Sequence, residues 1–179
     1  MQSPKLKWSL TIITILIALT IFLLSSKTGT ESREESNFFS LNLVDKVTDN
    51  YDDLTSHQQF RAEENLDELI RKLAHVCEFA GLSFFLRLTL ESWFGPSRKT
   101  KKAGKLSLQT LLGGFLYACT DEIHQIFVPG RSASLRDILI DTAGVTLGLI
   151  AVLLFLWLIR NRITDTASAY SPLFSVLAP

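Results

Sequence analysis

Cysteine is scarce: Cys77 and Cys119 are the only two in 179 residues, too few for a disulfide framework and without a metal-binding spacing. Both fall inside apolar stretches at different helical depths, where a thiol serves as a small packing group. Net charge is lacking too. With 18 Lys+Arg against 18 Asp+Glu, nothing in the balance points to nucleic acid as a partner. There is no internal repeat, no low-complexity tract and no HExxH zinc pattern, and Ser132 and Ser134 lack the strand-to-helix elbow that exposes a serine nucleophile. What the chain does have is segregation. Charges avoid four apolar segments, each close to the roughly 20 residues a helix needs to cross about 30 Å of hydrocarbon.

The expected fold is therefore all-α: an integral membrane bundle of four transmembrane helices at about 8–25, 73–94, 106–128 and 138–159. One membrane domain, 8–160, is followed by a flexible cytoplasmic tail, 163–179. The first apolar run, Trp8 to Leu24, is longer than a signal peptide's apolar region of about 7–15 residues, and no Ala-x-Ala follows it, which favours a retained anchor over a cleaved signal. In the polar stretch after it, Ser32 and Glu35 match a capping box. The long acidic connection, 37–72, carries Leu43, Val47, Tyr51 and Leu54, then Leu66, Leu69, Ile70 and Leu73, at helical spacing. That pattern predicts amphipathic helices lying on the membrane or on the bundle. Arg87 and Glu91 form an i, i+4 pair, with Arg87 expected to snorkel toward the interface. Gly144 and Gly148 make a GxxxG step that admits a close helix neighbour, and Gly113 and Gly114 can do likewise.

Orientation follows from the distribution of cations. The N-terminus, the loop holding Arg98, Lys99, Lys101, Lys102 and Lys105, and the Arg160–Arg162 end are basic, whereas the first connection is acidic. The positive-inside rule then places a multi-pass protein in the cell membrane with both termini cytoplasmic. At the outer face this topology gathers Arg71, Lys72, His75 and Glu78, then Asp121, Glu122, His124 and Gln125, then Arg131, Arg136, Asp137 and Asp141. Each ionised group at membrane depth costs roughly 2.5–3.5 kcal/mol on translocon scales, so such a cluster must pair internally or act on something. Asp121 lies about 10 Å along its helix from Val128, and Asp141 about 6 Å from Asp137, so the site reaches into the outer leaflet.

Three chemistries fit these residues. Arg71, Lys72, Arg131 and Arg136 suit the oxygens of an anionic head group, whether of a lipid or a lipid-linked cell-wall precursor. His75, Glu78, Asp121 and His124 are the candidates for acid–base catalysis on such a head group. The same charges can instead form an ion-pair network that only holds helix ends together, although buried pairs are often replaceable by apolar residues without loss. His75 with Glu78, and Asp121 with His124, are i, i+3 pairs able to ligate a metal, but the four cations oppose a divalent ion. No metal and no cofactor are therefore assigned. Binding of an envelope head group is the preferred expectation, with the membrane enzyme and the purely structural network as alternatives.

Three motifs in order, SSKTG at 25–29, RKLAHVCEFAGL at 71–82 and DEIHQIFVPGRSASLRD at 121–137, together with the Gly144–Gly148 helix, resemble the VanZ family. The resemblance spans Trp8 to Leu158. It implies a cell-envelope membrane protein related to members associated with resistance to the glycopeptide teicoplanin, which acts at the cell surface. Asp141 stands where the family pattern implies asparagine, and Phe79 where tyrosine is frequent.

Overall fold

The computed structural model describes residues 3–95 and 100–175, and every regular element in them is helical. The order is α1 (Pro4–Ser25), α2 (Gly29–Val47), a single 3-10 turn (Tyr51–Asp53), α3 (Ser56–Phe94), α4 (Thr100–Gln125) and α5 (Leu135–Ser175). Among the described residues, three helices are long and apolar enough to cross a membrane: α1, α3, and α5 between Leu135 and Arg162. That is the pattern of a multi-pass membrane protein. The expected third span coincides with α4, whose uncharged run, 106–120, is bounded by Lys105 and by Asp121 and Glu122 and interrupted by Gln109, and which is not among those three.

Local signals explain most boundaries. Ser3 caps α1 by accepting from the Leu6 amide, and Pro4 sits at the first helical position, where a missing N–H does no harm. The capping box of α2 is Thr28 with Glu31, one turn before the Ser32–Glu35 pair that the sequence suggested. Thr28 wins because it follows the end of α1 directly, whereas Ser32 is already inside the helix. Just before the 3-10 turn, Asn50 adopts a left-handed φ of 53°, a conformation asparagine tolerates better than most residues. α3 then runs without a break for 39 residues, so the second half of the acidic connection and the second expected span share one helix about 58 Å long. α5 likewise continues to Ser175, carrying helix into the stretch read as a tail, 163–179. Arg98 and Lys99 of the basic loop, and the last four residues of that stretch, lie outside the described residues.

The core draws on all four long helices: Ile21 of α1, Phe79 and Leu82 of α3, Ala118 of α4 and Val145 of α5 are buried together. α3 forms its largest interface with α5, and the glycines of α5 make it possible. A β-carbon at Gly144 would come within 2.6 Å of the Val76 carbonyl oxygen, and one at Gly148 within 2.0 Å of the Ala80 carbonyl oxygen. Backbone packs on backbone there, as GxxxG allows. Gly114 lets α4 approach the Val145 side chain of α5 in the same way.

At one end of the bundle Arg87 does not snorkel. It is fully buried, pairing with Glu91 at 2.6 Å, while Arg160 of α5 reaches the other Glu91 oxygen at 2.5 Å. Burial of the arginine is tolerable because the carboxylate beside it compensates the charge. Trp8 and Trp93 meet edge to face at this end, and Lys7 lies 5.4 Å over the Trp93 ring.

Candidate functional site

The opposite end holds the second polar concentration, built from the end of α1, the middle of α3, the end of α4 and the start of α5. Pro129 and Gly130 form the α4–α5 turn, with Gly130 at φ 75°, a conformation that glycine enters without strain. Gly29 clamps this turn: its amide donates to the Pro129 carbonyl at 3.1 Å, and a β-carbon on Gly29 would lie 2.3 Å from the Gly130 oxygen. SSKTG is thus the strap that binds α1 and α2 to the turn.

Asp121, buried in the last turns of α4, is tied to two helices. Its Oδ2 accepts from Ser25 Oγ of α1 and from Gln125 Nε2 of its own helix, both at 2.9 Å. Glu122 faces the other way and accepts from the Ser134 amide at 2.8 Å, at the start of α5 where the helix dipole favours an anion. His75 of α3 brings Nδ1 to 3.4 Å from Asp141 Oδ1 of α5. That contact lacks hydrogen-bond geometry, so His75 Nδ1 and both Asp141 oxygens are buried without a hydrogen-bond partner. One ligand atom each from His75, Asp121 and Asp141 lies within 4.8 Å of the others.

A cavity of about 370 Å³ opens above this group, between α2, α3 and the turn. Its wall includes His75, Glu122, Gln125, Asp137 and Asp141 together with Arg71, Lys72, Arg131 and Arg136. A smaller cavity of about 180 Å³ between α1, α2 and α3 reaches Glu78 and shares Arg71, His75 and Arg131 with the first. His124 lines neither. It stands against α1, with Nε2 2.9 Å from Ser26 Oγ and its ring 4.4 Å from that of Phe22.

The cations divide unevenly. Arg71 pairs with Asp67, and Lys72 with Glu68, both at i, i+4 along α3, while Arg136 stands 3.8 Å from Glu68. Of the four cations the sequence brought here, Arg131 alone has no ion pair among the described residues. It is half-buried, and loss of water pushes its pKa below the usual arginine value, which still leaves it charged.

Comparison with known proteins decides the family. The VanZ/LLP1 family model matches residues 10–158. The chain belongs to the VanZ/LLP1 family. No curated protein and no solved structure matches it. The VanZ/LLP1 match takes in all three motifs, and the fold gives each a place: SSKTG is the strap and the Asp121 anchor, RKLAHVCEFAGL holds His75 and Glu78, and the last motif supplies the turn and cavity wall from Glu122 to Asp137, with Asp121 buried behind it.

Ser25, Asp67 and Glu68 were not among the site residues read from the sequence of this VanZ/LLP1 protein. Signals for them existed. Asp67–Arg71 and Glu68–Lys72 are visible as i, i+4 pairs of the orientation that favours helix. Ser25, by contrast, acquires its role only through a contact 96 positions away.

Proposed function

We propose that this VanZ-like membrane protein uses the cavity to bind an anionic head group of the cell envelope, a phosphorylated lipid or a lipid-linked cell-wall precursor. The observation that carries the reading is Arg131, half-buried on the cavity wall and without an ion pair among the described residues. An arginine held there by a glycine turn presents a planar fork suited to phosphate or carboxylate oxygens.

The proposal includes a topology. α4 serves as a fourth span: its 26 residues reach about 39 Å. Both termini face the cytoplasm, as the basic end with Lys5, Lys7 and Arg160 argues, and the cavity faces outward. Phe38, Phe39, Leu41, Leu43 and Val47 of α2 are exposed while Ser36, Ser40 and Val44 are buried, which supports α2 lying at the membrane surface with those apolar residues toward lipid. A link to teicoplanin resistance fits an outward site for cell-wall precursor.

A second reading, acid–base catalysis on the bound head group, is favoured by the buried His75–Asp141 approach; His124 stands outside the cavity and has no part in it. Equilibrium binding of lipid-linked precursor to the full-length protein in nanodiscs tests both readings. Saturable binding with the precursor recovered unchanged is expected. Binding no greater than that of empty nanodiscs would end the head-group reading, and conversion that disappears in His75→Ala would replace it with the enzyme.

A further inference from the structure

The three groups beneath the cavity pose a separate problem of charge. Asp121 and Asp141 are 4% and 1% exposed, and they come from different helices to meet a histidine from a third. The argument against a divalent ion rested on four cations close by, and the structure removes most of it. Arg71, Lys72 and Arg136 are engaged with Asp67 and Glu68. Two aspartates therefore face each other across a few ångströms with Arg131 as the only unpaired cation of the set.

Hydrogen bonding is incomplete in the same place. Ser25 and Gln125 both donate to Oδ2 of Asp121, which fixes the plane of that carboxylate. Neither oxygen of Asp141 has a well-formed hydrogen bond: His75 Nδ1 stands 3.4 Å from Oδ1 as an ion-pair partner, and Oδ2 meets no donor. A buried carboxylate with neither oxygen hydrogen-bonded is rare and calls for a missing proton, water or ion.

We propose that His75, Asp121 and Asp141 bind a divalent cation of the Mn²⁺ or Zn²⁺ type on the buried side of the cavity. One imidazole nitrogen with two carboxylates suits those ions better than soft, thiolate-seeking metals. The donor atoms lie no more than 4.8 Å apart; tetrahedral ligands at bonds of about 2.0–2.2 Å stand about 3.4 Å apart, so the set would close by up to about 1.4 Å on binding, within reach of side-chain rotation. Three protein ligands leave coordination positions open toward the cavity. The ion would neutralise both aspartates, fill the vacant oxygens and join α3, α4 and α5. It is independent of what the cavity binds.

The test uses the full-length protein in detergent, stripped with chelator and titrated separately with MnCl₂ and ZnCl₂ by calorimetry. Expected are one ion per chain for at least one metal, a higher melting temperature when loaded, and affinity at least tenfold weaker in His75→Gln and in Asp141→Asn. Electron spin-echo modulation from bound Mn²⁺ gives a readout that needs no variant, because coupling to an imidazole nitrogen appears only if His75 or another histidine is a ligand. Absence of stoichiometric binding of either metal overturns the proposal. So does binding that His75→Gln and Asp141→Asn leave unchanged, or a Mn²⁺ signal without nitrogen coupling. If the variants do not fold, nitrogen coupling that survives replacement of the other two histidines, His57→Gln and His124→Gln, decides for His75, and its loss there overturns the proposal.

Discussion

Ser25 Oγ donates to Asp121 Oδ2 at 2.9 Å, joining the end of α1 to the end of α4 across 96 positions of sequence. Both residues are buried, so the bond is made to a charge out of water. Hydrogen bonds to charged groups contribute about 1.5–3 kcal/mol, and Ser25→Ala leaves Asp121 Oδ2 with Gln125 as its remaining donor. Ser25→Ala is expected to lower unfolding free energy in detergent by about that amount. A change below about 0.5 kcal/mol would mean that water replaces the hydroxyl and that α1 is not anchored there.

The glycines of the bundle are expected to respond in opposite ways. Gly148→Ala forces a methyl onto the Ala80 carbonyl and should cost about 1–3 kcal/mol, as overpacking does. Gly81→Ala meets nothing within 4 Å and should be neutral or stabilising by about 0.5–1 kcal/mol, since alanine is the better helix former. Thermal melts of the two variants side by side check the α3–α5 interface. Equal tolerance at both positions would show that these helices do not pack backbone to backbone.

A double-mutant cycle asks whether the buried acids act as one unit. Asp121→Asn and Asp141→Asn remove charges whose oxygens share a space under 5 Å with His75, so their effects should depart from additivity by about 0.5–3 kcal/mol. Glu78, which lines the smaller cavity, gives the comparison through Glu78→Gln. Strict additivity of the two aspartates in detergent melts would make them independent groups.

Topology can be read by thiol labelling in a background lacking Cys77, which is exposed, and Cys119. A cysteine replacing Ser134, at the α4–α5 turn, should react with a membrane-impermeant reagent in intact cells, and one replacing Ala103 should be shielded. The reverse pattern would turn the cavity to the cytoplasm.

Much of this arrangement was legible from the residues, and what was not has a physical cause. Helicity, the polar end shared by three helices and the GxxxG contact follow from periodicity and small-residue spacing, which are local. Asp67–Arg71 and Glu68–Lys72 were legible as i, i+4 pairs, whereas the approach of Arg136 to Glu68 was hidden because it joins two helices. Arg87 could be read as snorkelling because its distance from the helix end says nothing of Arg160 arriving from α5. His124 shares a motif with Asp121, yet the turn of the helix sends it toward Phe22 and Ser26 rather than the cavity. The stripe of Leu43 and Val47 left open whether it meets the membrane or the bundle; α2 presents Ser36, Ser40 and Val44 to α3 and leaves those two exposed. Small polar residues allow a close helix contact that hydrophobicity alone does not signal.

The central claim, that Arg131 is a fork for an anionic head group, is tested most directly by the affinity of Arg131→Lys for lipid-linked precursor, measured on protein whose melting temperature matches the parent. Lysine keeps the charge and loses the planar two-pronged geometry. The account predicts affinity reduced by about tenfold or more, roughly 1.4 kcal/mol, with a further loss in Arg131→Ala and little change in stability for either. Affinity equal to the parent in both variants would contradict it.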